Sequence, residues 1–183
     1  MQLDRELGLL ADIEFHCSPN QDERPNGVDI SGIVIHNISL PPGEFGGGWI
    51  DDLFLNKLDP KAHPYFEEIS ELKVSAHLLI RRSGEVIQYV PFHQRAWHAG
   101  VSSWDGRERC NDFTIGIEME GCDEQTFEEV QYQQLNEVIK TLCRSYPKLN
   151  IKSVKGHQDI APNRKTDPGP CFDWSHLTEL LES

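Results

Sequence analysis

The chain has 183 residues, 38% hydrophobic and 26% charged, which suits one ordinary globular domain with a single sizeable core. With 30 acidic against 17 basic residues the net charge is −13, a field that repels nucleic acid and anionic membranes, so neither is expected as a partner. Five scattered cysteines without a Cys-x-x-Cys pair read as reduced thiols, and no apolar run nears the ~20 residues of a membrane span, so the expected location is the cytoplasm.

Residues 1–30 are polar and broken by Pro19, Pro25 and Gly27, an irregular lead-in with room for one short strand. Ile30 to Ile35 is a compact β-branched run, predicted as a buried central strand that ends in the polar pair His36-Asn37. Leu40 to Gly48, with its triple glycine, is a long loop. Trp49 to Leu58 has apolar residues at helical spacing, and Pro64 opens a second helix through Glu71. Val74–Ile80, the turn Arg81–Glu85 and Val86–Val90 form a hairpin, with His77 as a packing residue. Phe113 to Gly121 alternates like a strand and carries Glu118 on the face opposite Ile115 and Ile117. A carboxylate inside such a strand is expensive to bury unless it is paired or used. Thr126 to Tyr146 is the longest helix, with Thr126 and Glu129 as a capping box and a stripe of Val130, Leu135, Val138, Ile139 and Leu142. A short strand at Ile151–Val154 and a terminal helix at Trp174–Leu181 complete the chain.

These elements predict a single α/β domain with a mixed central sheet flanked by helices on both faces. Chemistry concentrates in Lys155–Pro170, a stretch rich enough in Pro and Gly to be read as a loop, which carries His157, Lys165 and Asp167. His157 and Asp167 are too few for a zinc site. His36, at the end of a buried strand, is the third candidate, since open sheets present ligands at strand ends. Two imidazoles and one carboxylate leave a fourth position for water, as in catalytic zinc sites. Read singly, His36 is better taken as a hydrogen-bonded strand-edge histidine, and the alternatives are a partner of Arg109 or Lys165 for Glu118 and an exposed loop cation for Lys165.

His36-Asn37, Arg95–Gly100, Gly106–Asn111, Ile115–Glu118 and Gly156-His157 through Gly169 occur in one order. Together they resemble the zinc-dependent N-acetylmuramoyl-L-alanine amidases, in particular the cytoplasmic 1,6-anhydro branch that works in cell-wall recycling. The likeness runs from about Ser31 to Trp174, and it implies that residues 31–183 form the catalytic domain. It implies one Zn2+ held by His36, His157 and Asp167, with Glu118 and Lys165 as catalytic residues. It also implies that Trp97 and Met119 flank a sugar, while Asn37, Arg109 and Arg164 grip peptide amides and carboxylates. Lys73 stands where an arginine is expected, which puts bidentate carboxylate recognition at that end in doubt. The expected substrate is an anhydro-muropeptide, and the expected state is a monomer. Relatives include modules that bind muropeptide without cutting it; a structural zinc is a further alternative.

Overall fold

The computed structural model describes residues 1–183. Four short strands open the chain, where one was expected: β1 (Leu3–Asp4), β2 (Leu9–Leu10), β3 (Glu14–Phe15) and β4 (Gln21–Glu23). Then follow β5 (Gly32–Ile38), α1 (Trp49–Phe54), α2 (Pro64–Ile69), β6 (Leu78–Ile80), β7 (Val86–Gln88) and β8 (Gln94–Ala96). The small hairpin β9 (Ser103–Trp104) and β10 (Arg107–Glu108) precedes β11 (Thr114–Glu120) and α3 (Glu129–Ser145). The chain ends with β12 (Val154–Gly156), α4 (His157–Ile160) and α5 (Trp174–Glu182).

The central sheet has six strands in the order β12-β5-β11-β6-β7-β3. The four from β12 to β6 run parallel, β7 returns antiparallel from β6, and β3 lies parallel to β7. The mixed α/β sheet is as predicted, and so is the hairpin, paired Leu78↔Gln88 and Ile80↔Val86. Side-chain alternation sorts the two faces. Ile33, Ile35, Ile115, Ile117 and Met119 share one core with Leu135, Val138, Ile139 and Leu142 of α3 and Leu177 of α5. Leu79 and Ile87 face the other way and pack with Ile50 and Phe54 of α1 and Phe66 of α2. The sheet therefore carries helices on both faces.

Several local expectations shift. Strand β5 does not stop before His36-Asn37 but runs through both to Ile38. The N-cap of the long helix lies two residues later than read. Glu128, not Thr126, is its N-cap: its N–H donates to Gln131 Oε1 and its carbonyl accepts from the Gln131 N–H. Val130 is only half-buried, whereas Gln131 is buried and bonds the carbonyls of Ile80 and Glu120. The last strand is Val154–Gly156 rather than Ile151–Val154, with Ile151 exposed. Lys155–Pro170 is not all loop: it finishes β12 and contains the single turn α4.

The N-terminal segment is tied into the body of the fold. β3 forms one edge of the central sheet, and β4 pairs with β8. Arg24 donates to the carbonyls of Phe92, Asn111, Asp112 and Thr114 at 2.9–3.2 Å. Burial lowers its pKa to about 10, still charged at neutral pH. Arg24→Ala strips these carbonyls of their donor and should cost about 3 kcal/mol in urea unfolding. A loss below about 0.5 kcal/mol would show that water replaces the guanidinium freely.

Candidate metal centre

Register places the site. In the parallel ladder Glu118 pairs with His36, and Gly156 pairs with Ile35. His157, the next residue after Gly156, therefore comes level with His36, and the three stand in a row across β12, β5 and β11. They lie at the carboxyl ends of parallel strands, where open α/β sheets bind ligands. Alternation puts His36 and Glu118 on the face opposite the α3 core. Asp167 closes the group from the segment after α4, where the Gln158 N–H donates to the Asp167 carbonyl at 2.9 Å.

The three expected ligands meet. His36 Nδ1 is 3.0 Å from His157 Nδ1 and 2.9 Å from Asp167 Oδ2, and His157 Nδ1 is 3.0 Å from the same oxygen. His157 Nε2 lies 3.0 Å from the Ala99 carbonyl, an acceptor only, while both hydrogens of Arg164 Nη2, 3.3 Å away, go to carbonyls, so Nε2 carries the proton and Nδ1 is a bare lone pair. Burial pulls the His36 pKa down to about 4, so its ring is neutral at ordinary pH. Burial alone would raise Asp167, but the two imidazoles beside it outweigh that and hold the carboxyl below its usual range. These three ligand atoms, all within 4.8 Å of one another, can hold a cation between them. The donor set of two imidazoles and one carboxylate suits zinc, and the histidine-to-carbonyl bond is the usual outer support of such a ligand.

Glu118 stands beside this triangle. Burial raises its pKa well above the carboxylate norm, the Asp167 charge adds to this and Lys165 opposes it. It forms no ion pair with Arg109 or Lys165, and its buried Oε2 has no hydrogen-bond partner. A cavity of about 760 Å3, within the range of small-molecule sites, opens over His36, Glu118, His157 and Asp167. Trp97, Arg164 and the exposed Lys165 line it, and Tyr65, Ile69 and Leu72 extend an apolar wall.

The other expected binding residues divide. Asn37 points to the other side of the sheet from His36 but borders the cavity. Its Nδ2 donates to Asp123 at 2.7 Å and to the Pro168 carbonyl at 3.0 Å, so it offers only Oδ1 to a ligand. Arg164 Nη2 donates to the carbonyls of Ala99 and Val101. Met119 is corrected. It is fully buried in the α3 core, because a residue adjacent to Glu118 in a strand must face the opposite way. Arg109 is 71% exposed, pairs with Asp112 and does not reach the cavity. Lys73 is exposed and also lies outside the cavity lining.

Two groups escaped the sequence reading. His98 Nδ1 lies 2.9 Å from His36 Nε2, and the Ala99 carbonyl holds His157. Their signal was Trp97-His98-Ala99-Gly100, where small residues let backbone approach the site. Four further histidines stay away from it: His16 pairs with Asp51, His63 caps α2, His176 pairs with Glu129 and His93 is exposed.

A family model for N-acetylmuramoyl-L-alanine amidases matches residues 26–170. The chain is 60% identical over 176 residues to the 1,6-anhydro-N-acetylmuramyl-L-alanine amidase AmpD of Salmonella typhimurium (strain SL1344), covering 96% of this chain and 94% of that protein. A crystal structure of a selenomethionine AmpD derivative superimposes with a TM-score of 0.95 at 57% identity, covering 99% of both chains. The Escherichia coli amidase AmiD, in complex with the substrate anhydro-N-acetylmuramic acid-L-Ala-D-gamma-Glu-L-Lys, superimposes with a TM-score of 0.61 at 30% identity. That match covers 86% of this chain and 60% of AmiD. With the amidase family model spanning residues 26–170, the chain belongs to the N-acetylmuramoyl-L-alanine amidase family.

Proposed function

We propose that this chain hydrolyses the amide between the lactyl group of 1,6-anhydro-N-acetylmuramic acid and L-alanine of the stem peptide, as a step in peptidoglycan recycling. The observation that carries the reading is the bare donor triangle of His36, His157 and Asp167 next to an unpartnered, buried carboxylate oxygen of Glu118. A recognition module that only binds muropeptide has no use for that carboxylate. Five free cysteines fit a reducing compartment, and we place the enzyme in the cytoplasm as a monomer.

His36 Nδ1, His157 Nδ1 and Asp167 Oδ2 would hold the zinc ion. When bound there, zinc supplies Lewis-acid polarisation of the amide carbonyl and brings the pKa of water to about 7. Glu118 accepts the proton of the attacking water at Oε2 and delivers it to the departing alanine nitrogen. Its desolvated setting suits this work, because burial makes the carboxylate a stronger base than a solvated one. The Lys165 ammonium, at the cavity wall, stabilises the negative oxygen of the tetrahedral state. Trp97 gives the sugar an apolar face, while Asn37 Oδ1 accepts a peptide N–H and Arg164 faces a peptide carboxylate. Lys73, Arg109 and Met119 have no part in this reading.

Mass spectrometry of a defined anhydro-muropeptide incubated with the zinc-loaded chain should show free stem peptide, and a chelator should abolish its release. Intact substrate in both samples would refute the hydrolase. Glu118→Ala should retain zinc and lose at least ~100-fold in turnover; wild-type turnover would remove Glu118 from the mechanism. For Asp167→Ala, metal analysis should find a lowered zinc content. Full occupancy would mean that another residue is the third ligand.

A further inference from the structure

For His157 the Ala99 carbonyl decides which ring nitrogen is bare. For His36 the partner is another histidine: His36 Nε2 lies 2.9 Å from His98 Nδ1. Either ring could donate there, so the contact alone fixes nothing. The groups behind it do. His98 Nε2 is 3.2 Å from Thr114 Oγ1, which is 2.7 Å from the Cys110 carbonyl. A carbonyl has no proton to give, so the Thr114 hydroxyl donates to it and accepts in turn from His98 Nε2–H. His98 Nδ1 is then a lone pair that accepts from His36 Nε2–H. The nitrogen left bare is His36 Nδ1, the one facing His157 and Asp167.

We propose that His98 and Thr114 are positioning residues that transmit the fixed polarity of the Cys110 carbonyl to His36 and hold its Nδ1 ready for the metal. The proposal rests on the reading of His36, His157 and Asp167 as zinc ligands. The relay is built rigidly. The His98 ring lies against Gly116, where an added Cβ would come within 2.4 Å of His98 Cγ. The backbone N–H groups of His98 and Ala99 both donate to Asn111 Oδ1, at 3.2 and 2.8 Å. His98 meets His36 edge to face, with ring centroids 5.1 Å apart. A free imidazole is shared between two tautomers, and the wrong one turns an N–H toward the cation.

The test uses the full-length chain with two readouts: zinc affinity by competition with a chromophoric chelator, and histidine-ring nitrogen–proton correlation spectra that report tautomers. Thr114→Val keeps the β-branched shape and removes the hydroxyl. It should weaken zinc binding ~10- to 100-fold and release His98 from a pure Nε2–H form. Thr114→Ser should restore both, and His98→Phe should weaken zinc in the same direction. Wild-type affinity in Thr114→Val with His98 still protonated at Nε2 would overturn the relay and leave the ligand assignment standing. A wild-type His98 protonated at Nδ1 would overturn it without any variant. If the wild-type chain itself takes up no zinc, the ligand assignment and the relay fall together.

Discussion

The structure depends on the register of three parallel strands. Because β12, β5 and β11 pair Gly156↔Ile35 and His36↔Glu118, their carboxyl ends present His157, His36 and Glu118 side by side on one face. A slip of one residue in β5 would turn His36 into the α3 core and bring Ile35 out in its place, so the hydrophobic pattern that fixes the sheet also fixes the site. Ile33 and Ile35 hold β5 in place from the far face, and Ile115, Ile117 and Met119 do the same for β11. Packing on one side of the sheet thus specifies chemistry on the other.

That chemistry sits in a place that resists it. Polar groups in a largely desolvated pocket are costly unless each finds a partner. The outer side of the site meets this demand almost completely. Ala99 serves His157, and His98, Thr114 and Cys110 form an ordered chain behind His36. Asn37 ties the Pro168 carbonyl beside Asp167. The inner side does not meet it: three electron pairs face one another, and the Glu118 oxygen faces none. A satisfied shell around an unsatisfied centre is the pattern expected of a site arranged for groups that arrive from outside.

Much of this was legible in the residues, and the failures have physical causes. Ile30–Ile35 announced a buried strand, and Glu118 stood out as a carboxylate where burial needs a reason. His36, His157 and Asp167, 131 positions apart at their widest, were joined weakly by the strand-end position of His36 and firmly by the likeness of five ordered motifs to the amidase family. Met119 was misplaced because that likeness was followed against the period-two rule, which sends the neighbour of Glu118 to the opposite face. The turn of helix at His157 was hidden by nearby Pro and Gly, although Asp159 accepts the Gly156 N–H at its start. His98 was overlooked because its role is set by distant Thr114 and Cys110, which no local spacing reveals.

The central claim is that one divalent ion sits between two Nδ1 nitrogens and one carboxylate oxygen. Anomalous diffraction at the zinc absorption edge, on crystals of the zinc-loaded chain, tests it most directly. The account requires a single strong peak within bonding distance of His36 Nδ1, His157 Nδ1 and Asp167 Oδ2, at ~2.0–2.2 Å. A peak elsewhere, or one bonded through an Nε2 nitrogen of either ligand histidine, would contradict it.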